Sequence, residues 1–174
     1  DYYSIKDLAR PSHVDYVAYE KYHGFNDYRG GGNFSGRLTA PIVAAGAIVL
    51  KVLENIGIKI GTHIKQVGNV CDKDFTDFDK EIDIVNQKSF PVIDDITKQM
   101  QDEIENAALD KDSVGGIVQT AIVGVPVGVG EPMFSSLESE LAKAIFSIGG
   151  VKGIEFGLGF GFASKKGSEV NDAF

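Results

Sequence analysis

At 174 residues, 43% of them hydrophobic, the chain is long enough to bury a core and too apolar to be a disordered tail. Its single cysteine, Cys71, excludes an intramolecular disulfide and fits a reducing compartment, most simply the cytoplasm. The net charge of −8 is concentrated: residues 71–112 hold 13 acids and 5 lysines, and everything else is balanced, which argues against nucleic acid as the main partner. No secretory signal is visible, and no apolar run reaches the roughly 18 residues that a membrane span needs.

Residues 1–22 are aromatic and polar, with Tyr2, Tyr3, Tyr16, Tyr19 and Tyr22 in no clean period. They include Arg10-Pro11-Ser12-His13-Val14-Asp15. Proline holds the residue before it extended, so this stiffened turn can aim Arg10 and His13 the same way. Histidine passes protons near neutral pH and arginine holds anions, although a lone histidine is more often a packing or surface residue.

The segment Asp27-Tyr28-Arg29-Gly30-Gly31-Gly32-Asn33-Phe34-Ser35-Gly36-Arg37 has three consecutive glycines between two arginines, and a helix follows. Glycine lets a backbone turn tightly and bring its N–H groups near a ligand, while a helix start favours negative charge. The expectation is a phosphate or carboxylate site. A flexible loop with solvated arginines is the plain alternative.

Thr39 and Pro41 open a helix that ends before Gly57. It is apolar on almost every side, the pattern of a buried core helix. Residues 58–70 alternate Ile58, Ile60, Thr62 and Ile64 against Lys59, Gly61, His63 and Lys65, which predicts a strand with His63 on its wet face. Residues 71–90 read as an acidic, irregular connection. Pro91 is expected to open a second helix to about Leu109, with Asp94 and Asp95 capping its first turn.

Residues 113–125 are apolar on both faces, as in a central strand. Ser135-x-x-Glu138 forms a capping box for a third helix that ends at Gly149-Gly150, and Val151–Phe156 reads as a last strand. On pattern alone, a parallel α/β sheet and an α+β sandwich are both open. Asp1 in place of methionine leads us to expect an interior piece of a longer polypeptide.

Several segments in register resemble the chorismate synthase family. Arg10 to Asp15 resembles its RPxHxD segment, Asp27 to Ala40 its DYRGGG…S-x-R-x-TA segment, and Ala44-Ala45-Gly46-Ala47-Ile48 its AAGAI helix. Gly124-Val125-Pro126 through Gly130-Glu131-Pro132, Phe146-Ser147-Ile148 and Val151 to Gly157 continue the match in order. The resemblance implies an α+β fold, helices sandwiched between antiparallel β-sheets, assembled as a homotetramer. It implies a lyase that uses reduced FMN to convert 5-enolpyruvylshikimate 3-phosphate to chorismate and phosphate, with no membrane partner.

By matching motif, His13 corresponds to the family's catalytic histidine beside the flavin. Asn33, Phe34 and Ser35 fall on one flavin-contacting segment, Gly149 and Gly150 on a second. Arg10 and Arg37 match arginines that hold the anionic substrate, as guanidinium forks suit carboxylates and phosphate. Many members have Arg at the place of Asn33 and Ser at that of Phe34, so a side-chain contact is expected to differ there. The family's GESHG segment and C-terminal segments have no counterpart, so the chain alone is expected to be inactive. No metal is implied. The competing classes are a non-catalytic phosphate- or nucleotide-binding module, which lacks both the GxxxxGK[ST] and GxGxxG patterns, and an assembly domain.

Overall fold

A computed structural model describes residues 2–172. In chain order its elements are α1 (Asp15–Lys21), α2 (Thr39–Asn55), β1 (Lys59–Val67), β2 (Val70–Cys71), α3 (Phe78–Val85), α4 (Thr97–Leu109), β3 (Gly116–Val123) and α5 (Leu137–Phe146), with short 3-10 turns between. The class is α+β: helices with an antiparallel three-stranded sheet, order β2-β1-β3. The chain divides into two compact units, Asp1–Ala44 with Gly128–Phe174, and Ala45–Val127.

The second unit holds the sheet and nearly all of the core. β1 turns into β2 through Gly68-Asn69, where Gly68 takes a positive φ of 54°, as a two-residue hairpin requires. Against β3 the register runs from Lys59–Val123 to Val67–Gly116, and a bulge between Ile64 and Gln66 carries Lys65 unpaired. α3 lies on one sheet face so closely that a methyl at Gly61 would stand 2.9 Å from Ile82 Cγ1. Phe75, Ile82, Val85 and Ala121 form one apolar cluster; Val67, Val92 and Met100 form another.

The covered face of β1 is therefore the one that carries Gly61 and His63, opposite to the face expected from its isoleucines. His63 is fully buried. Its Nδ1 lies 3.0 Å from Asp72 Oδ2, its Nε2 2.9 Å from Gln119 Oε1, and the Phe75 ring packs edge-on at 4.7 Å. Polar partners at both nitrogens are what make burial of this ring affordable. Asp72 also accepts from the backbone N–H groups of Lys73, Ile93 and Asp94. Burial opposes its charge, but the donors from Ile93, Asp94, His63 and Lys73 outweigh it and hold the carboxyl below its ordinary range.

Those same bonds correct two further expectations. Residues 91–96 form a strap, with Ile64 N–H donating to Pro91 C=O at 2.7 Å, so α4 begins at Thr97. The Asp94 N–H is taken by Asp72, so the Asp94-Asp95 pair lies outside any helical turn. Residues 71–90 contain a helix, α3, where a connection was expected. Asp77 caps it through Lys80 N–H, and Glu81 reaches back to the N–H groups of Thr76 and Asp77 at 2.7 and 3.0 Å.

The Lys73 ammonium, 2.8 Å from Glu81, together with those backbone donors, pushes the Glu81 carboxyl down to about 2. A carboxyl with a lowered folded pKa adds stability above its unfolded value and loses it as pH falls through the folded one. We therefore expect thermal melts of the chain to weaken from about pH 4.5 down to about 2. In Glu81→Gln that slope should be shallower, read by circular dichroism at a series of pH values.

β3 is an edge strand among the described residues rather than the central one, with Ile117 and Val118 more than half exposed. α2 forms as expected, but none of its residues is buried. An all-round apolar helix needs a cover, and the described residues supply none. The helical stretch Gly36–Asn55, 20 residues with mean hydropathy 1.6, is also long and apolar enough, by length and composition alone, to cross a membrane. That overturns the expectation that no run reaches this length.

The first unit is loop-rich, and Ala18 is its one buried hydrophobic side chain among the described residues. α5 is capped by Ser136 rather than Ser135: the Ser136 hydroxyl accepts from Ser139 N–H at 3.2 Å. Residues 151–156 form no strand, and no strand pairing involves them among the described residues.

Candidate functional site

The Arg10–His13 turn is closed by His13 N–H donating to Arg10 C=O at 3.2 Å, with Pro11 second and Ser12 third at φ 57°. Proline in second place and a positive φ in third are the requirements of a tight reversing turn. Asp15, the first residue of α1, faces back into it. Its carboxylate accepts from Arg10 Nε at 2.7 Å, Arg10 Nη2 at 2.9 Å and the Arg10 backbone N–H at 3.0 Å, and lies 2.6 Å from His13 Nδ1, a nitrogen to which Arg10 Nη2 donates at 3.1 Å. The sequence-based expectation that Arg10 and His13 point the same way is met, and Asp15 is the reason. Sequence reasoning had passed over this residue.

The three glycines have φ values of 60°, 88° and 52°, so the run depends on their lacking side chains. What fills the freed space is protein. A methyl at Gly30 would stand 3.3 Å from Arg37 Nη1, one at Gly31 3.3 Å from His13 Cε1, and one at Gly32 only 2.5 Å from the Asp27 carbonyl oxygen. Each glycine is thus a seat: Gly30 for the Arg37 guanidinium, Gly31 for the His13 ring, Gly32 for the Asp27 backbone. Asp27 holds Arg29 through Nε at 2.8 Å, and that bond keeps the Asp27 carboxyl below its usual range.

Charge is compensated unequally. Arg10 is tied to Asp15 and Arg29 to Asp27, while the Arg37 guanidinium forms no close ion pair among the described residues and acts on Asp27 only at longer range. It is the open cation of the cluster. Asn33 and Phe34 are exposed; Phe34 lies 6.2 Å from the Tyr22 ring beside a small cavity of about 70 Å³. The Ser35 hydroxyl caps the short turn that follows by accepting from Arg37 N–H at 3.3 Å. Gly149 and Gly150 follow α5, and no hydrogen bond or ion pair among the described residues joins them to the His13 cluster. A larger cavity of about 460 Å³ opens beside Arg10 and Asp15, walled by Tyr2, Tyr16, Tyr19 and Tyr28 with Lys6 and Glu20. That volume lies in the range of small-molecule sites.

The geometry can hold an anion at Arg37, present a proton-carrying imidazole at His13, and seat a flat ring among tyrosines. The family model described as chorismate synthase matches residues 1–174. The chain belongs to the chorismate synthase family.

Chorismate synthase of Pyrococcus abyssi is 49% identical over 173 residues, covering 99% of this chain and 48% of that protein. Chorismate synthase of Dehalococcoides mccartyi (strain BAV1) is 45% identical over 178 residues, covering 100% of this chain and 48% of that protein. A crystal structure of chorismate synthase superposes with a TM-score of 0.80 at 26% identity, covering 91% of this chain and 51% of the other. The chain spans about half the length of the curated relatives it matches. This likeness decides between the two architectures left open by pattern: the fold is the α+β fold of chorismate synthase.

Proposed function

We propose that the chain carries the substrate-anion and flavin residues of a chorismate synthase, an enzyme that eliminates phosphate from 5-enolpyruvylshikimate 3-phosphate to give chorismate. The observation that supports this most is the cluster itself, in which Arg10 and His13 are locked by Asp15 while His13 and Arg37 are seated on Gly31 and Gly30. The substrate bears two carboxylates and a phosphate. Arg37, without a close ion pair among the described residues, is the residue to take one of them, and Arg10, fixed by Asp15, the residue to orient a second.

The residues present suit FMN in kind. The Asn33-Phe34-Ser35 edge offers a ring face and polar groups, and the tyrosine-walled cavity is large enough for a planar ring. In this reading His13 and Asn33 to Ser35 hold FMN, and Gly149-Gly150 supplies a second backbone approach. Reduced flavin, when bound, supplies the electron chemistry of the elimination. His13 contributes a proton position at Nε2, the ring nitrogen nearest Gly31, and the arginines offset charge on the departing phosphate.

The working enzyme in this reading is a cytoplasmic homotetramer, with neither nucleic acid nor membrane as partner. α2 is then covered by further protein rather than lipid. The 174-residue chain holds part of the site and does not turn over alone. Incubating it with reduced FMN and 5-enolpyruvylshikimate 3-phosphate, with phosphate release and chorismate absorbance followed, should give no turnover above background. Robust conversion would refute the partial site.

A further inference from the structure

We propose that His63 stands in the core of the sheet unit as an imidazolium, donating from both ring nitrogens, and acts as a pH-sensitive clasp on the 91–96 strap. The group lies wholly within residues 45–127 and is independent of flavin and substrate.

The two acceptors decide the protonation. At Nδ1 the partner is Asp72 Oδ2, 3.0 Å away, on a carboxyl that already takes the N–H groups of Lys73, Ile93 and Asp94. Burial works against the Asp72 charge, but the backbone donors outweigh it, so the proton between the two belongs to the ring. At Nε2 the partner is the Gln119 side chain, whose orientation two other groups fix. Phe75 N–H, which can only donate, faces its Oε1 at 3.3 Å, and the Asp74 carboxylate, which accepts, faces its amide nitrogen at 3.0 Å. Turning the amide over would set donor against donor and acceptor against acceptor. Gln119 Oε1 therefore faces His63 Nε2 at 2.9 Å, and that nitrogen carries a proton as well. A neutral ring would set one lone pair against an oxygen in a fully buried place.

The surrounding charges suit a cation. Asp72 touches the ring, Asp74 feels its charge, and Lys65, bulged out of β1, is engaged by the Asp72 carbonyl and the Asp74 carboxylate at 2.6 and 2.9 Å. Lys73 is taken by Glu81 of α3 at 2.8 Å and lies 3.7 Å from Asp94 of the strap. β3 contributes the uncharged Gln119, and the remaining contact is the edge-on Phe75 ring. Asp72 joins the imidazolium to Ile93 and Asp94, and Gln119 joins it to Phe75, so a lost ring proton is felt at all three. Stability that needs a charged imidazole is present at low pH and is lost as the pH rises through the titration of the ring.

The test uses the ¹⁵N-labelled 174-residue chain carrying His13→Gln and His23→Gln, which leaves His63 as its one imidazole. Two-bond ¹H–¹⁵N correlation shows which ring nitrogens hold protons. At neutral pH both should. A bare Nδ1 would place the proton on Asp72, a bare Nε2 would mean a reversed Gln119 amide, and either overturns the proposal. Raising the pH until the ring loses one proton should move the Phe75, Ile93 and Asp94 amide signals along the same curve. A ring that titrates while those signals stay still overturns the clasp, and one that keeps both protons until the chain unfolds upholds it. Gln119→Leu removes the second acceptor and should lower the ratio of doubly to singly protonated ring by at least about tenfold, the scale of one hydrogen bond to a charged group. An unchanged ratio counts against the proposal, and the first measurement decides by itself where that variant does not fold.

Discussion

Asp72→Ala should destabilise the unit formed by residues 45–127 by about 3–5 kcal/mol, the scale of several buried donors left unsatisfied at about 1–3 kcal/mol each. The expectation follows from what the carboxylate holds. It binds His63, fully buried, and the N–H groups of Lys73, Ile93 and Asp94, which tie the 91–96 strap and the segment after β2 to the sheet. Alanine would leave several buried donors without their acceptor, each with its own desolvation cost. Asp72→Asn keeps one acceptor and should cost less. Urea unfolding followed by circular dichroism reads both, and a loss below about 1 kcal/mol in the alanine variant would contradict the assignment.

Gly32→Ala should disable the glycine run while leaving the sheet unit intact. Its backbone lies at φ 52°, ψ −128°, a region that L residues avoid at about 1–3 kcal/mol, and the new methyl would stand 2.5 Å from the Asp27 carbonyl oxygen. That oxygen is backbone and cannot swing aside. The run must refold, and with it the seats of His13 and Arg37. FMN binding by the chain should fall by about a hundredfold, the scale of a misplaced binding group. Gly36→Ala is the matched control, because nothing lies within 4 Å of a methyl there and its φ is ordinary. It should change binding by less than a factor of about two. Equal losses in the two variants would mean that the run acts only as flexible chain.

How much of this was legible beforehand depended on whether the deciding partner was close in sequence. The Arg10–His13 turn was readable because Pro11 constrains it locally, and α2 because its cap and apolar run are contiguous. Asp15 was in plain view as the last residue of the motif, and its spacing of five from Arg10 and two from His13 was the missed signal. α3 was also present, as Asp77 followed by Phe78, Ile82 and Val85, but the acidity around it was taken for a connection.

His63 was a different case. Its burial rests on Asp72, nine residues on, and on Gln119, fifty-six residues on, and neither can be inferred from strand alternation. The isoleucines of β1 pointed to the wrong face because Gly61 lets α3 approach the other one. The exposure of α2 and the edge position of β3 share one physical reason: apolar surface reports that something covers it, and does not say what. For the glycine run, the sequence showed that side chains were excluded, while the structure shows that Arg37, His13 and Asp27 occupy the freed space.

The central claim is that this cluster binds flavin together with an anionic substrate. Titrating the 174-residue chain with FMN in the presence of 5-enolpyruvylshikimate 3-phosphate, followed by flavin fluorescence, tests it most directly. Saturable quenching, weakened at least about tenfold in Arg37→Ala by loss of the open cation, is the predicted result. No quenching, or equal binding of ATP or NAD by competition, would contradict it.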